Sequence, residues 1–66
     1  MAKFICTRSK TQSVPVGTIL IGVQDGNFIR LTQDSDLKTD NGSPRFSKGN
    51  LRPMEGNLWA WALVEG

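Results

Sequence analysis

The run Leu58-Trp59-Ala60-Trp61-Ala62-Leu63-Val64 constrains this chain more than any other stretch. It is unbroken by a polar residue and holds both tryptophans. It is far too short to cross a membrane, which takes about 20 apolar residues. In water it has to be buried, against the rest of the chain or against a partner. Alternation along a strand sets Trp59, Trp61 and Leu63 on one face and Leu58, Ala60, Ala62 and Val64 on the other. A sheet with one solvated face alternates apolar with polar residues. A strand apolar on both faces therefore asks for two coverings. The second covering is expected to be either the long loop folding back or a protein interface, in which Trp is a favoured anchor; the simpler alternative is that both tryptophans fill the core of a small domain short of other bulk.

The rest of the chain is punctuated by Gly and Asn. Gly26-Asn27, Asn41-Gly42, Gly49-Asn50 and Gly56-Asn57 are turn-forming pairs, because both residues tolerate positive φ. Short runs rich in Ile, Val, Phe, Thr and Trp lie between them, and none keeps a 3.6-residue apolar period. The pattern is all-β, with strands expected near 3–8, 16–23, 27–33 and 57–64. Four or five short antiparallel strands in 66 residues predict a bent sheet or an SH3-like or OB-like barrel. One small β domain over 1–66 is expected.

The hairpin of residues 16–33 has a choice of register. A three-residue loop, Gln24-Asp25-Gly26, pairs Ile21 with Ile29 and Ile19 with Leu31, and sets Phe28 across from Gly22. That register gathers Ile19, Ile21 and Val23 on a core face. A loop of Asp25-Gly26-Asn27 keeps the same parity. A two-residue Asp25-Gly26 turn pairs Ile21 with Arg30 and leaves both faces half polar. One residue of slip swaps the faces, so the first register is expected.

Residues 34–57 are expected to form a long loop, with large apolar groups only at Leu37, Phe46, Leu51 and Met54. A short edge strand or a helical turn is expected around Arg45 to Lys48. Pro44 and Pro53 argue against a central strand nearby.

Several chemistries are disfavoured by residue type. There is no histidine and a single cysteine, Cys6. Triad nucleophiles, an internal disulfide and a structural zinc are therefore not expected. Cys6 follows Phe4-Ile5 and reads as a buried, inert thiol. Asp34, Asp36 and Asp40 cluster in the loop. As a calcium loop they fail, with Lys38 at the third position, Asn41 in place of the glycine and no glutamate at the twelfth. No catalytic residue, cofactor or metal is expected. The chain opens on Met1-Ala2-Lys3-Phe4, which is not a signal peptide pattern, and a lone cysteine suits a reducing, cytoplasmic setting.

The charge of +2 is unevenly spread. Basic blocks with Lys3, Arg8 and Lys10, and with Arg45, Lys48 and Arg52, flank an acidic stretch. The segment Arg45-Phe46-Ser47-Lys48-Gly49-Asn50-Leu51-Arg52 interleaves cations with an aromatic, as single-strand nucleic-acid sites do.

The run Val14-Pro15-Val16-Gly17-Thr18-Ile19 resembles the start of phage tail-collar repeats over six residues. The remaining sequence does not follow that pattern, so no fold or role is carried over. A tiny Gly- and Asn-rich β chain without cofactor residues is in the style of viral or mobile-element accessory proteins. Two functions follow as expectations. The first is a non-catalytic protein-binding module that docks on a partner or on a second copy through Trp59, Trp61, Leu63 and Phe46. The alternative is a small barrel that binds single-stranded nucleic acid through Arg45, Lys48, Arg52, Arg8 and Lys10. No membrane partner is expected.

Overall fold

The computed structural model describes residues 2–65. Five strands, β1 (Ala2–Ser9), β2 (Ile19–Asp25), β3 (Phe28–Leu31), β4 (Leu51–Pro53) and β5 (Trp59–Glu65), form one antiparallel sheet in the order β4-β3-β2-β1-β5. The all-β expectation holds, and the bent sheet, rather than a closed barrel, is the shape found. The two ends of the sheet are joined by backbone bonds beyond β4. The Trp61 N–H donates to the Met54 carbonyl at 2.6 Å, and Glu55 bridges Ala60.

The hairpin register differs from the expected one. Asp25 pairs with Phe28, Val23 with Arg30 and Gly22 with Leu31, across a two-residue Gly26-Asn27 turn. Gly26 has φ 63°, and no described non-glycine residue has a positive φ. A positive first and negative second φ is the pattern of a type II′ turn, whose twist matches that of the flanking strands. The parity is therefore reversed. Leu20 and Gly22 face the core, while Ile19, Ile21 and Val23 face outward. The close approach at Gly22 agrees with this parity. A Cβ there would land on the Arg30 carbonyl oxygen. Only glycine lets the two backbones come that close.

One more expectation is corrected. The short edge strand is Leu51–Pro53, not Arg45 to Lys48. It sits at the edge of the sheet, where Pro53 removes no ladder bond that a further strand needs. The segment between β3 and β4 is an ordered excursion. Ser35 N–H donates to the Phe46 carbonyl, Arg45 N–H to that of Leu37, and Thr39 N–H to that of Ser43. The buried Ser35 hydroxyl accepts the Phe46 N–H at 3.1 Å and donates to the Leu37 carbonyl at 2.9 Å. Backbone that would otherwise be left unpaired inside the molecule is satisfied this way.

The core lies on one side of the sheet. Strands supply Phe4, Cys6, Leu20, Ile29, Leu31, Trp59 and Trp61, and two loops add Val14 and Phe46. The Phe46 ring is wholly buried and meets Trp59 and Trp61 edge-on, at 5.6 and 6.1 Å between centroids. Such edge-to-face contacts add about 0.5–1.5 kcal/mol each beyond area burial. Between Cys6 and Arg8 the register with β5 shifts, so that Thr7 has no partner of its own. This bulge keeps Cys6 inside while turning Arg8 outward.

Candidate functional site

The residues expected to anchor a partner divide between core and surface. Trp59, Trp61 and Phe46 are 7%, 5% and 0% exposed, so their rings offer no surface on the isolated chain. Leu63 is half exposed. Of the two coverings that the last strand asks for, the β3–β4 excursion supplies one, by laying Phe46 over the tryptophan side.

The cations expected to contact nucleic acid gather in part. The Arg45 and Arg52 guanidinium carbons stand 5.0 and 5.7 Å from the centroid of the Phe46 ring. Neither has a carboxylate partner among the described residues. The Arg52 Nε is enclosed without a hydrogen-bond acceptor. Lys48 lies on the next turn, its N–H donating to the Asp34 carboxylate at 2.8 Å. Arg8 and Lys10 line a separate cleft with Glu55, Asn57 and Trp61, and the Arg8 guanidinium donates to the Gly56 carbonyl at 3.0 Å. With Phe46 sealed, no aromatic face is left beside Arg45 and Arg52 for a base to stack on.

The more unusual surface is the outer face of the sheet. Register places Ile5 beside Ile19, Lys3 beside Ile21, Val23 beside Arg30, and Phe28 between Asp25 and Pro53. Leu51 follows Arg30, and Ala62 follows Ile5. The middle of this face is made of Ile5, Ile19, Ile21, Val23 and Phe28, with Leu51 at one margin. Val23, Phe28 and Leu51 are each more than two-fifths exposed. The polar groups in its outer half are Arg30 and Asp25, joined at 2.7 Å between Nη2 and Oδ2. A face of this make-up departs from the polar pattern of a solvated sheet.

Sequence reasoning placed Ile19, Ile21 and Val23 on the core side and so missed this face. The available signal was Ile19-Leu20-Ile21, which is apolar at both parities, like the last strand. Among the described residues, no cluster of three or more metal-ligating side chains occurs, and no helix is long and apolar enough to cross a membrane. Comparison of the chain with protein-family models, curated proteins and solved structures finds no match.

Proposed function

We propose that this chain is a non-catalytic protein-binding module that docks through the outer face of its sheet. One observation supports the reading above others: the exposed side of the three central strands is lined by Ile5, Ile19, Ile21, Val23 and Phe28. Exposed apolar patches of this kind, rimmed by charge, are typical of protein contact sites. Strands make a rigid platform, so little ordering entropy is lost when a partner covers them.

The test is affinity capture with nuclease-treated extract, comparing the wild-type chain with Val23→Lys. A partner held by the wild type and lost by the variant supports the reading. Equal capture by both chains, or capture by neither, counts against it. A second reading, single-stranded nucleic-acid binding, draws on the unpaired Arg45 and Arg52 guanidinium groups. Tryptophan fluorescence titrated with mixed-sequence oligonucleotides at about 50 and about 200 mM salt tests it. A saturable change that weakens steeply with salt supports it, and no response at low salt ends it.

A further inference from the structure

We propose that Asn41 is a self-modification site of this chain. Its side-chain amide is lost to water without enzyme or cofactor, and the residue becomes aspartate or isoaspartate.

Asparagine is among the thermolabile residues because its Cγ is an electrophile within reach of the next backbone nitrogen. Attack by that nitrogen closes a five-membered imide. A bulky following side chain obstructs the closure, and glycine has none. The asparagines of the chain stand at 27, 41, 50 and 57. Phe28, Leu51 and Leu58 follow three of them, and Asn41 alone is followed by glycine. The step balances with water as the only co-reactant. The Gly42 nitrogen bonds to the Asn41 Cγ, the Cγ–Nδ2 bond breaks, and ammonia leaves with the proton that the backbone nitrogen gave up. Water then opens the ring. Cleavage at the side-chain carbonyl gives aspartate, and cleavage at the main-chain carbonyl gives isoaspartate.

The fold both presents this residue and restrains it. Asn41 and Gly42 are exposed near the middle of the β3–β4 excursion, and the Asn41 carboxamide makes no hydrogen bond among the described residues. The Asn50 carboxamide, by contrast, is held by the Ser47 N–H at 3.1 Å. Around Asn41, Lys38 bridges Pro44, Thr39 N–H donates to the Ser43 carbonyl at 2.8 Å, and Gly42 N–H donates to that of Thr39 at 2.9 Å. Gly42 has φ 83°. This is a three-residue loop, Asp40-Asn41-Gly42, a tight turn followed by a left-handed glycine. The nucleophile is thus the same N–H that closes the turn. It has to leave the Thr39 carbonyl before it can lose its proton and reach Cγ, so the reaction runs from the locally opened turn.

The two products act differently on the excursion. Aspartate keeps the backbone length and lowers the net charge from +2 by one, next to Asp40. Isoaspartate inserts a methylene into the main chain between positions 41 and 42. The loop no longer fits its two closing hydrogen bonds, and the excursion that carries Phe46 loses its closed tip.

Storage of the full chain at mildly alkaline pH, folded and in parallel in guanidinium chloride, tests the site. Intact and fragment masses read a gain of one mass unit and its position. The expected gain comes first at Asn41, several-fold more slowly in the folded chain than in the denatured one. It should vanish at that position in Asn41→Gln, whose longer side chain would need a six-membered ring. The isoaspartyl chain, isolated by chromatography, should exchange amide hydrogens faster over residues 35–46, while Asn41→Asp should match the wild type there. No gain at Asn41 in the folded chain, or a first gain at Asn27, Asn50 or Asn57, overturns the site. Equal rates in the two states overturn the restraint by the turn. Wild-type exchange in the isoaspartyl chain overturns the effect on the excursion.

Discussion

The core face and the outer face of this sheet are made of similarly apolar residues, yet only one is sealed. On the core face, Phe4, Leu20, Ile29, Trp59 and Trp61 lie under Val14 and Phe46, which arrive from loops. On the outer face, Ile5, Ile19 and Ile21 are half-buried and Val23 is exposed, flanked by Arg30, Asp25 and Lys3. Hydrophobicity does not separate the two. The difference lies in which loop carries a plug, and in what anchors that loop. Ser35 holds the Phe46 strap by two hydrogen bonds, and Lys48 N–H to Asp34 holds its far end.

The contrast can be broken most severely at Phe46. Phe46→Ala removes the ring that closes the tryptophan side and should cost about 3–5 kcal/mol, read as a lower midpoint in chemical denaturation. A loss under ~1 kcal/mol would show that the strap is not the cover. Gly22→Ala comes next. Its methyl meets a backbone carbonyl that cannot swing aside, so a loss of roughly 1–3 kcal/mol is expected from the same measurement. Ser35→Ala leaves the Phe46 N–H without its hydroxyl acceptor and should cost about 1–3 kcal/mol. It should also speed hydrogen exchange in the segment 35–46, and unchanged exchange there would separate the strap from this serine.

Outer-face substitutions should barely register in the stability of the single chain. Asp25→Asn removes an exposed ion pair and should cost ~0.2–1 kcal/mol at low salt, less as salt rises. Val23→Lys should shift the unfolding free energy by no more than about 0.5 kcal/mol at concentrations where the chain is monomeric. A large loss from Val23→Lys under those conditions would mean that the outer face is already structural within one chain, and the contrast between the faces would dissolve.

Much of the architecture is legible in the residues. The Gly-Asn pairs and the lack of helical periodicity mark an all-β chain; of the last strand, expected to be buried throughout, Trp59 and Trp61 are buried while Leu58, Leu63 and Val64 stay about half exposed. Hairpin parity is the principal misreading. Counting apolar residues favours the side of Ile19, Ile21 and Val23, because three β-branched residues outnumber Leu20 and a glycine. The Gly26-Asn27 turn and the backbone approach at Gly22 agree on the opposite parity, and neither contributes to such a count. The Thr7 bulge is invisible for the same reason, since it moves Arg8 across the sheet without altering composition. Leu51–Pro53 is too short to show a period, and its pairing with β3 depends on the whole excursion folding first. Of the candidate site, the chemistry of Arg45, Arg52 and Phe46 is readable as a cluster. That the ring points inward follows only from the two tryptophans it meets.

Cys6 lies 1% exposed in the central part of β1, with strands on both sides, its Sγ 3.3 Å from the Arg8 carbonyl. A thiol reagent has to wait until β1 parts from β2 or β5 before it can react. The chain thus carries a single built-in clock. Under conditions where reclosing outruns chemistry, the labelling rate divided by that of an open thiol gives the fraction of time β1 stands open, with no substitution made in the chain.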